Sequence, residues 1–275
     1  MSPLVLTFFV FSNPEPGVKP LHQPDESSGP SERAARPLSI VMPAFNEGAV
    51  IETVIAELAS GVLDRFEGDI DLIVVDDASL DNTADILDQL KGTIPALKVH
   101  RNPSNRGHGP SLITAIDRSD SEWIFHLDSD RQFVPEEFWN LWERREHADL
   151  ILGFRQERHD PAARLLISRV TSRMVTRLAG RPVRDANCPF KLFRRTTWDE
   201  LRPLMGPSPF APSIMLSLGA ARLSSIEEVP VTHRPREHGP STLVGFRLAR
   251  SIARAAFQTL QFSNRLRRVE RSRHS

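Results

Sequence analysis

The chain of 275 residues has a single cysteine, Cys188, so no intrachain disulfide can staple it, and a reducing compartment fits that composition. It has no net charge, with 35 Lys and Arg against 35 Asp and Glu. No global field therefore draws the molecule toward nucleic acid. No apolar run approaches the roughly 20 residues that a membrane-spanning helix needs. Residues 4–11 are apolar, but the stretch is short and no basic residue precedes it, which makes it a poor secretory signal and a poor anchor. A serine-hydrolase G-x-S-x-G is missing, and so is any convincing histidine spacing for a metal. These absences point to a cytoplasmic globular protein, with peripheral attachment to the cytoplasmic membrane face as its one route to a bilayer.

What is present suits one large α/β domain: 40% hydrophobic and 25% charged residues on a chain long enough to bury a sizeable core. Residues 1–37 read as a disordered leader, rich in Pro, Ser, Glu and Gly over 12–37. Order is expected from Leu38. Short apolar runs at 38–42, 70–75, 97–99, 123–127 and 149–153 read as strands. They alternate with helical patterns at 47–60, 82–90 (capped by Asp81), 108–117 and 135–146. Beyond residue 154 come a helix over 164–178, strands at 190–194 and 226–231 separated by one or two helices, and a final helix over 246–262. This alternation predicts a mostly parallel, Rossmann-like sheet with helices on both faces, in a single domain over 38–245. Residues 246–275 form an amphipathic basic helix and tail. From 247 to 273 there are eight arginines and one acid, Glu270, which suits an anionic membrane surface or, equally, a core-packed helix with a solvated face.

Ligands of such sheets bind beyond the carboxyl ends of the strands. Two acidic clusters fall there: Asp76 and Asp77 after the second strand, and Asp128-Ser129-Asp130 after the fourth. Asp128 and Asp130 stand two apart on an extended segment and can converge on one cation. Oxygen ligands suit Mg²⁺ or Mn²⁺, which would stabilise charge on a leaving diphosphate; Gln132 could support the same site. With Asp81 better placed to cap the next helix, Asp76 and Asp77 remain for a ligand, where they could accept hydrogen bonds from a nucleobase or ribose.

The segments Val41-Met42-Pro43-Ala44-Phe45-Asn46-Glu47, Val75-Asp76-Asp77-Ala78-Ser79, Asn105-Arg106-Gly107-His108-Gly109 and Asp128-Ser129-Asp130-Arg131-Gln132, in this order, resemble the GT-A glycosyltransferases of family 2. Gly153-Phe154-Arg155, Arg164 with Ser168, Asp185, Phe190-Lys191-Leu192-Phe193 and Arg236 with Gly239 and Ser241 resemble the polyprenyl-phosphate branch, which includes dolichyl-phosphate mannose synthase. The resemblance covers about 38–245. It implies a nucleoside pocket of Pro43, Phe45, Glu47 and Asp76 with Asp77 nearby, a metal held by Asp128, Asp130 and Gln132, and an acceptor phosphate gripped by Arg155, Arg164, Ser168 and Arg236. Arginine forks match phosphate oxygens, and Arg164 and Ser168 share a helix face.

The implied reaction is inverting transfer of a hexose from a nucleotide-diphosphate sugar to a polyprenyl phosphate. A phosphate monoester is already a dianion near neutral pH, so the acceptor needs no catalytic base. Asp130 then acts through the metal, and Asp185 is the base candidate if the acceptor is a hydroxyl. Two alternatives stay open: a family 2 transferase acting on a soluble sugar or small-molecule hydroxyl, and a catalytically silent sugar-nucleotide-fold subunit.

Overall fold

Strand β1, Leu38–Ala44, is buried along its whole length, as expected of an apolar run covered on both faces of a parallel sheet. Helix α1 (Ile51–Gly61) follows and turns Ile51, Val54, Ile55 and Leu58 inward at helical spacing. Then come β2 (Ile70–Asp76), α2 (Thr83–Leu90), β3 (Leu97–Arg101), α3 (His108–Asp117) and β4 (Trp123–His126). The second half contains α4 (Phe138–Trp142), β5 (Leu150–Arg155), α5 (Ala162–Ala179), β6 (Lys191–Arg194), α6 (Arg195–Met205), α7 (Pro212–Leu223), β7 (Ile226–Val231) and α8 (Phe246–Arg273). This computed structural model describes residues 37–157, 162–235 and 246–273; the expected leader lies outside them, save Pro37.

The seven strands form one sheet in the order β3-β2-β1-β4-β6-β5-β7. β1 pairs in parallel with β2 on one edge and β4 on the other. Only β6 runs against its neighbours, so the sheet is mostly parallel, the GT-A architecture expected of the sequence. The chain moves outward from β1 through β2 to β3, then crosses back to place β4 on β1's other edge. Loops leaving β1, β2 and β4 therefore diverge, opening a crevice at their carboxyl ends.

Three elements depart from the sequence expectation. Helix α1 starts at Ile51 rather than 47, because residues 47–50 form a turn tied to the loop after β2. The helix expected over 135–146 becomes a 3₁₀ turn at Pro135–Glu137 followed by the short α4. Beyond it Arg144 and Arg145 bond back three residues, to the carbonyls of Leu141 and Trp142, the tighter winding of a 3₁₀ end. Helix α8 runs eleven residues past 262, since Phe262 and Leu266 are fully buried in the core and Arg222 of α7 pairs with both carboxylate oxygens of Glu270. The apolar stripe alone stops short of that last packing contact.

Phe262→Ala should cost about 3–5 kcal/mol through the cavity it leaves. At about 2–4 °C per kcal/mol for a domain of this size, thermal unfolding should shift down by several degrees or more. An unchanged midpoint would mean that α8 does not pack on the core.

Candidate active site

The loops after β1 and β2 are laced together. Asp77 N–H donates to the Ala44 carbonyl, and Asn46 N–H donates to Ser79 Oγ at 2.9 Å. The Asn46 side chain accepts from Leu80 N–H at 2.8 Å. Glu47 N–H donates to Thr83 Oγ1 at 2.9 Å, and Gly48 N–H to Asp81 at 3.0 Å. Asp81 also accepts from the Thr83 N–H that opens α2, so it caps the helix from one position before the N-cap Asn82. Three non-glycine residues adopt left-handed backbone at the strand ends: Asn46 (φ 55°), Ala78 (φ 59°) and Arg131 (φ 60°). Such conformations cost of order 1–3 kcal/mol each and persist where surrounding contacts over-determine them. All three flank the crevice.

These loops place the expected nucleoside-side residues together. Pro43 is buried in β1 and accepts a hydrogen bond from Ser129 Oγ at 2.9 Å. Phe45 and Glu47 are half-buried at the exit of β1. Asp76 is fully buried. Its Oδ1 accepts from Ser79 N–H, while Oδ2 lies 3.2 Å from Arg101 Nε without hydrogen-bond alignment. Asp77, by contrast, is not left open for a ligand. Its carboxylate accepts from Asn102 at 2.8 Å, Arg106 N–H at 2.9 Å and Gly107 N–H at 2.7 Å. It holds the loop before α3, where Gly107 takes a positive φ of 91°. Gly109 then lets α3 start against the 209–210 backbone, where a Cβ would lie 2.6 Å from the Phe210 carbonyl oxygen.

Across the crevice, Ser129 Oγ donates to the Pro43 carbonyl and buries the middle residue of Asp128-Ser129-Asp130, while Asp128 and Asp130 stay half-buried where the chain bends. Asp128 meets two histidines that sequence spacing did not reveal. His108 Nε2, at the start of α3, is 2.9 Å from Asp128 Oδ1, and His126 Nε2, at the end of β4, is 3.3 Å from the same oxygen. Burial holds His126 below the usual imidazole range, hence neutral. Desolvation opposes protonation of His108, yet Asp128, with Asp130 and Asp77 behind it, outweighs that and raises it. Burial likewise works against ionising Asp128, and the two imidazoles overcome it and lower its pKa. The N/O donors of His108, His126 and Asp128 lie within 4.8 Å of one another, close enough to hold a metal ion. Asp130 Oδ1 accepts from Gln132 N–H. Gln132 directs its side-chain amide to the Arg234 carbonyl at 3.2 Å, so it anchors the segment after β7 beside the Asp128 loop. His126, the last residue of β4, stands two residues before Asp128, a proximity that was readable in the sequence; His108 is 20 residues before Asp128 on another element, and only the fold brings it in.

The expected acceptor-side residues divide. Arg155, the last residue of β5, pairs bidentately with Asp185 at 2.7 and 3.0 Å, both side chains nearly buried. The base candidate thus holds an arginine. Ser168 is buried on α5. Arg164 belongs to α5, but its side chain lies outside the described residues, as does Arg236. Behind this pair Lys191 is fully buried; its Nζ donates to the Ala186 and Ser213 carbonyls at 3.0 and 2.9 Å. Burial pushes its amine down to about 8. Cys188 is buried, its thiol pushed up to about 12 by that burial, which makes it a packing residue rather than a nucleophile.

Arg131 turns away from the crevice to Glu57 of α1 at 2.8 Å, and Arg234 meets the same carboxylate at 2.9 Å. Burial opposes ionisation of Glu57, but the two guanidiniums prevail and hold it below its ordinary 4.5. A carboxyl lowered by folding stabilises fully above its unfolded value and loses that contribution as pH falls through the folded one. Glu57→Gln should therefore destabilise by about 1.5–3 kcal/mol at neutral pH. In denaturant unfolding the gap to wild type should stay constant above about pH 4.5 and close below it; a pH-independent gap would remove the ionised Glu57 carboxylate and its arginine pairs as the source.

The profile of Glycosyl transferase family 2 matches residues 39–201. The undecaprenyl-phosphate 4-deoxy-4-formamido-L-arabinose transferase of Pseudomonas aeruginosa (strain LESB58) is 28% identical over 216 residues, covering 77% of this chain and 61% of that protein. The enzyme of the same name from Pseudomonas syringae pv. syringae (strain B728a) is 31% identical over 217 residues, with 77% and 62% covered. The chain thus spans about three-fifths of the length of these relatives. The crystal structure of glucosyl-3-phosphoglycerate synthase from Mycobacterium tuberculosis, in complex with Mn²⁺, UDP and glucosyl-3-phosphoglycerate, superposes with a TM-score of 0.60 at 19% identity, covering 84% of this chain and 81% of that one. With four crevice segments in order, an α/β sheet that diverges at β1 and a profile match over more than half its length, the chain belongs to glycosyl transferase family 2.

Proposed function

We propose that the protein transfers a hexose, with inversion, from a nucleotide-diphosphate sugar to a polyprenyl phosphate. The observation that carries this reading is the meeting, in one crevice, of the Asp76 wall and the Asp128-x-Asp130 loop in a chain whose relatives are named for transfer to undecaprenyl phosphate. The nucleoside lies against Pro43, Phe45 and Glu47, and Asp76 Oδ2, buried without a hydrogen-bond partner, accepts from it. Asp128 and Asp130 hold Mg²⁺ or Mn²⁺, with Gln132 bracing the loop. Carboxylate donors suit either ion, and the imidazoles beside Asp128 shift the preference toward Mn²⁺. When bound, the cation supplies positive charge to the departing diphosphate.

Arg155, Arg164, Ser168 and Arg236 are the residues that grip the acceptor phosphate. Its dianion needs alignment and charge screening rather than deprotonation. Asp185, accepting two hydrogen bonds from Arg155, fixes the guanidinium in place, a positioning role for the residue that would be the base with a hydroxyl acceptor. The second reading, a soluble acceptor, draws support from the likeness to glucosyl-3-phosphoglycerate synthase over most of both chains.

A lipid acceptor calls for a membrane surface. No helix among the described residues is long and apolar enough to cross a bilayer. Phe257 and Leu260 on α8, and Leu166 and Val170 on α5, are exposed apolar side chains. They stand among Arg250 and Arg254 on α8 and Arg169 and Arg173 on α5, the composition of a helix face that lies on anionic lipid.

With Mn²⁺, a panel of sugar nucleotides and undecaprenyl phosphate, wild type should release nucleotide diphosphate and form glycolipid detectable by mass. Asp130→Ala should lower turnover by about 100-fold or more, the scale of losing a group that stabilises the transition state, and Arg164→Ala should raise KM for the lipid. Donor hydrolysis without glycolipid would move the search to hydroxyl acceptors; no donor binding by calorimetry would defeat both readings. In sedimentation with phosphatidylglycerol vesicles, the double substitution Phe257→Ser, Leu260→Ser should weaken binding about tenfold or more; equal binding would take α8 off the membrane.

A further inference from the structure

We infer that His108 and His126 join Asp128 as direct ligands of the divalent cation at the Asp128-x-Asp130 loop, so that imidazole nitrogens share the ion with carboxylate oxygens. The proposal rests on reading the crevice as a cation-dependent transfer site and specifies the chemistry of its ion.

The geometry is that of a coordination shell. For bonds of about 2.1 Å, neighbouring ligand atoms stand about 3.0 Å apart in an octahedron and about 3.4 Å apart in a tetrahedron. Asp128 Oδ1 lies 2.9 Å from His108 Nε2 and 3.3 Å from His126 Nε2, and all three donors fall within 4.8 Å of one another. A hydrogen-bonded His-Asp-His cluster accounts for the first contact but not for the second. His126 is 1% exposed, and its buried Nε2 has only a poorly aligned 3.3 Å contact to Asp128 Oδ1 to satisfy it. A buried polar nitrogen left unmatched costs about 1–3 kcal/mol. A cation between the imidazole and the carboxylate satisfies that nitrogen and the oxygen together.

The fold supports this arrangement. His126 ends β4, and Asp128 follows two residues later with its Oδ1 3.3 Å from His126 Nε2. His108 opens α3, and the Asp77 carboxylate fixes the loop that delivers it by accepting from Arg106 and Gly107 N–H. Two nitrogen ligands favour borderline transition ions, from Mn²⁺ upward in the divalent series, over Mg²⁺, which prefers oxygen.

The test is electron paramagnetic resonance of Mn²⁺ added to the full chain, with spin-echo modulation to detect coordinated ¹⁴N. Wild type should show imidazole ¹⁴N modulation, and a tenfold excess of Mg²⁺ should fail to displace the ion. His108→Gln, at a half-exposed position that tolerates change, should weaken Mn²⁺ binding about tenfold or more and reduce the modulation. His126→Gln should do the same, with circular dichroism reporting whether it folds. Bound Mn²⁺ without ¹⁴N modulation, unaltered affinity in His108→Gln, or no Mn²⁺ binding overturns the inference. If glycolipid synthesis persists in that case, the transferase reading survives; ¹⁴N modulation in a protein that binds no sugar nucleotide would retain the ion site and defeat that reading instead.

Discussion

The charged crevice hangs on the burial of β1 between two parallel partners. Ala44 stands opposite Asp76 in β2, and Val41 stands opposite His126 in β4, so the groups that end these strands are fixed to one another by backbone register. A one-residue slip would turn every side chain of a strand to the opposite face and expose core residues. With Leu38, Ile40, Val41 and Met42 fully buried, that slip is costly. The strand ends are therefore a rigid mount, and strained backbone at Asn46, Ala78 and Arg131 can persist on it.

On that mount, burial governs what each ionisable group can do. A buried charge is tolerated when opposite charge or hydrogen-bond donors surround it, and leaving one partner behind is strongly destabilising. Asp77 meets this condition through three N–H donors, the Arg155–Asp185 pair through each other, and Lys191 through carbonyl oxygens. Asp77 and Lys191 are consumed by their partners and serve as framework, and Asp185 holds the Arg155 guanidinium in place. Asp76 and His126 differ, since each keeps a buried polar atom without a hydrogen bond. Asp76 Oδ2 lies beside Arg101 at the end of β2, and His126 Nε2 beside Asp128 at the end of β4.

Much of the domain was legible in the order of residues. Apolar runs near five residues long, set between amphipathic stretches, mark the strands and helices, and the carboxylates fall at strand ends as parallel topology requires. Asp128 and Asp130 stand out because two acids on extended backbone share a face. The histidines did not stand out, because a search for histidines close in sequence misses a pair contributed by a strand and by the helix before it. Asp77 looked equivalent to Asp76 for a similar reason: two adjacent acids differ only in the direction of their side chains, one toward Ser79 and Arg101, the other toward the loop at 105–107.

The sequence by itself determined the α/β alternation, the strand-end position of the acids and the basic character of the last helix, because these depend on local periodicity and composition. Tertiary structure alone decided that Asp77 and Asp185 are engaged by partners, that Gln132 braces Arg234, that α8 docks through Phe262 and Leu266, and that His108 reaches Asp128. Each of those outcomes depends on contacts between residues far apart in the chain, and no local pattern encodes which side chains the fold brings within hydrogen-bonding distance.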